Sequence, residues 1–555
     1  MKRHVFGAII LCAMPAWAQP APTRLSPPDA AHLLTPPRSA PRLPTPAPLP
    51  EAAQLPPQPV IMLHFNRVDV SGARMIPANV IEALFAPLLD RDIDSRALQP
   101  VLDKIAELYG TAGLPLGRAF VPAQHITDGM LRIHVVEGYI GTIRVIAPNM
   151  RTKNLVQRMA SVLKAQRPLT KAALERVILS IQDIPGMTLG SRFEAMDPNT
   201  GATKLVLDAN VKPVTVGVSL DNRSGLAGLP TAPYVTTTLN NLIGSGDQIV
   251  LTALLSPKPK DDAFYGLSFS SLAGRDGLRL GVDGAWSQVL DTVSLPGIPI
   301  KSQSAQLDAK ARYPLLRGQT QSLVLQTRIY VNSVRDSLPN RGVFARDSYL
   351  ASEFAVDYSS IITPQFAIAM NIKANQGMTN LTDAPHTRLL TIPGFSKLRG
   401  EMRAVWQVHG NLIMNASVMG QYSPNALSAA EEVNFGASAY GRAFAPAEIM
   451  GDKGVGVSLT PEYKIALNDK WSISPFVTGD YAKVWNKRGD GQGTGELVSA
   501  GAGLKLAQND WGAVSVEADK PLNRTPHDAR GRDFHFFVTL EFRASQLMRA
   551  ITGNP

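Results

Sequence analysis

The sequence predicts two small α+β periplasmic domains in tandem, followed by an all-β transmembrane barrel of about 16 antiparallel strands. Three observations predict it. The chain opens with an export signal, and the order strand, helix, helix, strand, strand occurs twice before Val211. From Val214 onward, apolar residues alternate with Gly, Ser, Thr and Asn at a period of two.

The export signal is residues 1–18. Lys2, Arg3 and His4 precede an apolar run from Val5 to Met14, and Ala16 and Ala18 supply the small residues of a cleavage site. Leu11 stands before Cys12 where a lipoprotein signal wants a small residue, so Cys12 reads as part of the signal. It is the only cysteine, which leaves the mature chain without disulfides and dependent on a large core or a closed sheet. No later stretch of about 18 uncharged apolar residues predicts a membrane helix. The net charge of +10 is spread among nearly as many acids, which argues against nucleic acid as a partner. Residues 19–61 are dense in proline and read as an extended spacer.

The first α+β domain is expected at 62–138. Phe65, Val68 and Val70 alternate toward Gly72, Pro77 opens a helix over ANVIEALFAPLL, and Ser95 caps a second whose buried face is Leu98, Val101, Leu102, Ile105 and Leu108. Two strands follow, GRAFVPAQHI and MLRIHVVEG, joined at Thr127-Asp128-Gly129. The second domain, 139–211, repeats the order. Its strand is GTIRVIAPN, and its helices carry Leu155, Met159, Val162 and Leu163, then Leu174, Val177, Ile178 and Ile181 before Pro185-Gly186.

The barrel is expected at 212–542. Val214, Val216, Val218 and Leu220 alternate with Thr215, Gly217, Ser219 and Asp221, the pattern of a strand with lipid on one side and a watery lumen on the other. A soluble sandwich would alternate too, but would pack large aliphatics inward and charge outward. Similar segments recur to FHFFVTLEF, where Phe534, Phe536, Val538, Leu540 and Phe542 share a face. Closing the sheet satisfies every backbone polar group in lipid. The remainder, 543–555, is a tail.

Four stretches carry a family resemblance. YGTAGLPLGRAFVPAQHITDGMLRIHVVEG, LTKAALERVILSIQDIPGM, the pair DNRSG and LIGSGDQI, and FGASAYGRAFAPAEIMGDKGVGVSLTPEY together resemble the two-partner secretion (TpsB-type) translocators, the haemolysin activation/secretion proteins. The first two look like the family's POTRA (polypeptide-transport-associated) domains, and the third like its first barrel hairpin. The last is similar to the long sixth loop that folds into the lumen. Its tip would be Gly441, Arg442, Ala443 and Phe444, its base Gly451 and Asp452. Ala443 replaces the usual glycine and Phe444 the commoner tyrosine. The family's wall partner for the loop arginine is an aspartate, which Asp480 matches, with Thr478 two residues before it where Phe or Gly is usual. Phe542 matches the terminal aromatic that serves as the assembly signal, although a tail follows it here.

The resemblance implies an outer-membrane translocator with periplasmic N-terminal domains. It would recruit a large secreted partner in the periplasm, a haemolysin or adhesin for instance, secrete it, and activate it where the family does so. Outer-membrane lipid and the barrel-assembly machinery are its other implied partners, and no cofactor or metal is. The alternatives are an assembly or insertase factor of the same superfamily, whose members typically carry more POTRA domains, and a passive porin. No catalytic residue is expected: G-x-S-x-G, H-E-x-x-H and paired Cys/His spacings are missing, and the nine histidines are scattered.

Overall fold

The computed structural model describes residues 61–543 apart from 198–199, 223–232, 292–298, 340–341, 383–385, 387, 389–390, 392–393, 438, 488–492, 509–511 and 528–530. The expected signal, nearly all of the proline-rich spacer and the tail past Arg543 lie outside the described residues.

The first periplasmic domain contains β1 (Met62–Phe65), β2 (Arg67–Ser71), β3 (Arg91–Asp94), the helix Gln99–Thr111, β4 (Gly117–Phe120) and β5 (Met130–Glu137). Its main sheet has the order β2-β5-β4, with β2 parallel to β5, and β1 pairs with β3. Phe65, Ile81, Phe85, Ile105, Tyr109 and Ile133 form its core. Two local expectations change. The helix after Pro77 is one α-turn, Ala78–Glu82, continued as a 3-10 helix, Ala83–Leu88. Pro87 has no N–H to donate and its ring crowds the preceding turn, so the longer helix cannot form. The second helix is preceded by a 3-10 turn, Ser95–Leu98, capped by Asp94, whose Oδ1 accepts from the Arg96 amide at 2.8 Å, and not by Ser95, whose Oγ accepts instead from the Ile61 amide at 3.1 Å. The Arg96 guanidinium hydrogen-bonded to Asp94 holds that carboxyl below its ordinary range.

The second domain runs β6 (Tyr139–Ile146), the helices Met150–Ala160 and Lys171–Gln182, β7 (Met187–Met196) and β8 (Ala202–Val211). The sheet order is β6-β8-β7, with β6 and β8 parallel. Asn149 and Thr170 cap the helices, accepting from the Thr152 and Ala173 amides at 2.9 and 3.2 Å. Leu155, Leu163, Leu174, Ile181, Leu205 and Leu207 are buried between helices and sheet.

The barrel opens with β9 (Val214–Asp221), β10 (Tyr234–Asn240), β11 (Gln248–Leu254), β12 (Ala263–Leu272) and β13 (Arg279–Asp291). It continues through β14 (Ile300–Arg317), β15 (Gln321–Leu338), β16 (Gly342–Thr363), β17 (Phe366–Asn380), β18 (Ser396–His409) and β19 (Leu412–Tyr422). Two short strands, β20 (Val433–Phe435) and β21 (Ile449–Gly451), pair with each other inside the loop that follows. The wall resumes with β22 (Lys453–Tyr463), its short extension β23 (Ile465–Ala466), β24 (Trp471–Trp485), β25 (Thr494–Gln508), β26 (Gly512–Pro521) and β27 (His535–Arg543).

Neighbours pair antiparallel, and β27 pairs with β9 to close a 16-strand barrel. The alternation has the expected sense. On β12, Tyr265, Leu267 and Phe269 are exposed on the lipid side, while Ser268 and Ser270 are buried toward the lumen. Tyr265 stacks on Trp286 of β13, with ring centroids 6.1 Å apart. Phe542 pairs with Val218 across the closing seam and is 42% exposed, as a lipid-facing aromatic should be.

Candidate functional site

Between β19 and β22 the chain leaves the wall, and residues 423–452 fold back into the barrel. Most of this loop is buried. Its hairpin pairs Val433 with Gly451 and Phe435 with Ile449. Beyond it the tip is fastened by Gly436 N–H donating to the Tyr440 carbonyl (2.8 Å) and Ala437 N–H to the Phe444 carbonyl (2.9 Å). Gly441 has φ +88°, which favours glycine, and a Cβ there would stand 2.9 Å from Leu497 Cδ1. The tip packs in an apolar cluster of Phe435, Tyr440, Ala443, Phe444, Ala482, Val484 and Leu497.

That cluster explains both departures from the family tip. Ala443 is fully buried and is not among the residues with positive φ, so its backbone does not require glycine. Phe444, 2% exposed, sits among apolar side chains, where a tyrosine hydroxyl would need a partner.

Arg442 leaves this cluster toward β22, β24 and β26. Its backbone N–H donates to Asp480 Oδ2 at 3.1 Å, and Nη2 donates to Thr460 Oγ1 at 3.0 Å. The guanidinium lies 3.4 Å from Glu517 Oε1 through Nη1 and 3.7 Å from Asp480 Oδ2 through Nε. Asp480 is therefore beside the arginine, but its shorter contact is with the backbone amide; the closer carboxylate for the guanidinium is Glu517. Ser499 Oγ donates to the same Asp480 oxygen at 3.2 Å. Thr478 faces the lumen as well and donates to Asp519 Oδ1 at 3.4 Å. Removing one partner loosens the docking of the loop more than the wall itself, because a carboxylate the arginine leaves can be met by water in the lumen.

At the loop base Asp452 is 1% exposed and takes four donors. These are Arg388 Nη1 (2.6 Å) and Nη2 (3.1 Å), the Leu427 amide (2.8 Å) and the Lys487 amide (2.9 Å). Gly451 runs so close to the wall that a Cβ would lie 2.9 Å from Val484 Cβ. Two further carboxylates pin the loop. Glu431 accepts from the Tyr330 and Tyr349 hydroxyls at 2.9 and 2.8 Å and pairs with Lys397. Glu448 meets His527 Nδ1 at 2.8 Å and Arg524 at 3.6 Å.

Glu517, Thr460, Glu431, Glu448 and Arg388 were not singled out by sequence reasoning. Ser515, Glu517 and Asp519 alternate on one face of β26, so two acids on a lumen face were a readable signal. Arg388 offers none, standing in an outer loop far along the chain.

The periplasmic motifs also acquire contacts. Gln124 imitates a strand residue, donating to the Arg132 carbonyl (2.7 Å) and accepting from its amide (2.8 Å). Glu137 Oε1 accepts from the Arg74 and Met75 amides (2.9 and 2.6 Å) and the Tyr109 hydroxyl (3.2 Å). Burial and this carboxylate push the Tyr109 phenol well above its ordinary pKa. Asp183 binds Arg317 at the end of β14 through two contacts of 2.6 and 2.7 Å, and Arg151 donates to the Leu242 carbonyl at 2.5 Å, so the second domain docks under the barrel's periplasmic turns. Asp247 closes the first of those turns by accepting the Leu242 and Ile243 amides (2.9 and 3.1 Å). Asn222 accepts from the Val538 amide at 2.8 Å and so fastens the closing seam; residues 223–225 of DNRSG lie outside the described residues.

Fold and loop together define an outer-membrane barrel with periplasmic POTRA domains and a lumen-filling loop. Residues 201–506 match the family described as "Haemolysin secretion/activation protein ShlB/FhaC/HecB", and 63–138 match the ShlB-type POTRA domain. The chain belongs to this haemolysin secretion/activation protein family. It lies in the outer membrane with its N-terminal domains in the periplasm.

Among curated relatives, a heme/hemopexin transporter protein HuxB of Haemophilus influenzae is 20% identical over 466 residues, 80% of each chain. A second HuxB, from H. influenzae strain 86-028NP, is 24% identical over 243 residues, 44% of this chain and 42% of its own length. The match thus spans less than half of that relative. The solved structure of CdiB from Escherichia coli superposes with a TM-score of 0.66 at 18% identity, covering 91% of this chain and 94% of that one. That likeness is one of fold.

Proposed function

We propose that the chain exports a large partner protein across the outer membrane by two-partner secretion, and that the sixth loop is the closed gate of its channel. The observation that carries the reading is the loop tip: a mostly buried arginine delivered by a loop onto two carboxylates of the wall, filling the space a chain would have to cross. The family and the names of its relatives, which are transporters, agree with it.

The mechanism follows from what the residues can do. An unfolded partner reaches the periplasmic domains in extended form and is held at their open sheet edges by backbone pairing. The second domain, held to the turns by Asp183–Arg317 and Arg151, delivers it under the barrel mouth. Passage requires the tip to leave Asp480, Glu517 and Thr460. Folding of the partner outside gives direction with no nucleotide, cofactor or catalytic residue. Polar side chains along the lumen wall, Ser268 and Ser270 among them, offer a moving backbone replaceable hydrogen bonds.

Arg442→Ala, produced beside a large exported protein encoded next to this chain, tests the reading. The variant is expected to insert as a heat-modifiable barrel and to lose most export. Undiminished export of the partner would remove the loop from the mechanism, and export in the absence of this chain would remove the chain.

A further inference from the structure

Arg388 stands between β17 and β18, on the fifth outer loop, yet its side chain is only 1% exposed. Besides the two contacts with Asp452, Nη1 donates to the Leu427 carbonyl at 2.9 Å and lies 3.0 Å from Glu432 Oε1, and Nη2 donates to Asn486 Oδ1 at 3.2 Å. Leu427 and Glu432 belong to the limb of the sixth loop that enters the lumen, Asp452 to the limb that leaves it, and Asn486 to the seventh loop. One guanidinium therefore ties both limbs together and to a neighbouring loop. We propose that Arg388 is the positioning residue that clamps the base of the sixth loop, so that the gate opens at its tip while its base stays fixed. This rests on the reading of that loop as the gate.

The two ends of the loop are held with unequal strength. At the base the guanidinium and the Asp452 carboxylate meet fork to fork, with contacts from 2.6 Å, and the remaining carboxylate positions take the Leu427 and Lys487 amides. At the tip the guanidinium stands 3.4 and 3.7 Å from Glu517 and Asp480, and Nη2 donates to the neutral Thr460 hydroxyl at 3.0 Å. The Arg442 side chain is also 12% exposed, so water competes there and is shut out at the base. Longer contacts in a wetter setting yield first. The backbone agrees, since among the described residues of the loop the positive φ values, at Gly436, Ala437, Gly441 and Ala447, lie beyond the hairpin, between Phe435 and Ile449, where a few residues can absorb a change of direction. The entering limb is held again by Glu431 on Tyr330, Tyr349 and Lys397 of the wall.

Engineered disulfides separate a fixed base from a moving one, because the sole native cysteine, Cys12, lies in the expected signal. Val334→Cys with Ala430→Cys ties the entering limb to β15, where these residues pack in one cluster. Gly441→Cys with Leu497→Cys ties the tip to β25; an ideal Cβ on Gly441 lies 3.4 Å from Leu497 Cβ, near the roughly 3.5–4.5 Å that a disulfide spans. The oxidised base pair is expected to export the partner and open in planar bilayers as the parent does. The oxidised tip pair is expected to block both relative to the same variant reduced, which already carries the cost of a side chain at the positive φ of residue 441. A block by the base pair that reduction relieves overturns the proposal.

Arg388→Ala supplies a second reading: purified barrels should show more frequent openings, with Arg388→Lys only partly restoring the closed state, since an ammonium cannot make the fork. An alanine variant as quiet as the parent also overturns it. The bilayer measurements need no partner protein, so a failure of the export reading and a failure of the clamp give different results.

Discussion

The two walls of the lumen are built from the same alternation, but they answer their charges differently. On β13 to β17, Asp283 pairs with Lys310, Arg328 stands 3.8 Å from Asp308 and 3.6 Å from Glu353, and Lys373 reaches Glu353 at 4.0 Å. Strand answers strand. On β24 and β26, Asp480 and Glu517 are met by Arg442, which arrives on a loop. A pair between neighbouring strands breaks only when the barrel does, whereas a pair between loop and wall breaks when the loop moves. The ion pairs within β13 to β17 are therefore frame, and the pairs that Arg442 makes with β24 and β26 are a latch.

Exchanging the effects of two arginines would break that comparison. Arg442→Ala is expected to have the largest functional effect, abolishing most export and making the channel noisier, with little change in the barrel's heat stability. Arg328→Ala should do the reverse. It leaves Asp308 and Glu353 facing each other without their shared cation, at a cost of about 3–5 kcal/mol, seen as unfolding of the barrel at a lower temperature on a gel. Its channel should remain as quiet as the parent. If Arg328→Ala opened the channel and Arg442→Ala destabilised the barrel, the division into frame and latch would be wrong.

The same division accounts for what the sequence could show. Alternation reports which way a strand residue faces, so the lipid side of β12 was legible before any fold was known, and the same pattern in Ser515, Glu517 and Asp519 on β26 was there to be read. Gly441 to Phe444 could be singled out because they sit within one contiguous motif. The meetings of Glu517 with Arg442 and of Arg388 with Asp452 could not be read, because closing a sheet brings together residues that lie far apart in the chain, and no local pattern records them. Arg388 in particular reads as a loop cation until the burial around it is known. The short first helix was missed for a local reason, Pro87 inside an otherwise helical pattern.

The periplasmic face sharpens the comparison at lower energy. Asp183 and Arg317 join the second domain to the frame wall at β14, but Asp183 is half exposed, so water screens the pair. Asp183→Ala should cost about 1 kcal/mol or less. Arg151 on Leu242 and Arg176 on the Tyr313 hydroxyl, at 3.0 Å, still hold the junction. Export should fall modestly, and limited proteolysis between the second domain and the barrel should quicken. Complete loss of export would mean that this one pair, and not the combined interface, aligns the domain with the lumen.

The smallest effect is expected at the end of the chain. Across the closing seam Thr539 to Arg543 pair with Asp221 to Gly217 on β9, and Gly512 to Asp519 of β26 cover the other edge of β27. Phe542 already presents its ring to lipid, and the Asn222 side chain fastens the outer end of the seam through the Val538 amide and the Phe536 carbonyl, the latter at 2.9 Å. The pairs from Thr539 to Arg543 and the lipid-facing aromatic are thus in place before residue 544, so deleting 544–555 should leave insertion, heat modifiability and export unchanged. Loss of the folded barrel on that deletion would show that the assembly signal extends past Phe542, and would move the recognised end of the strand into the tail.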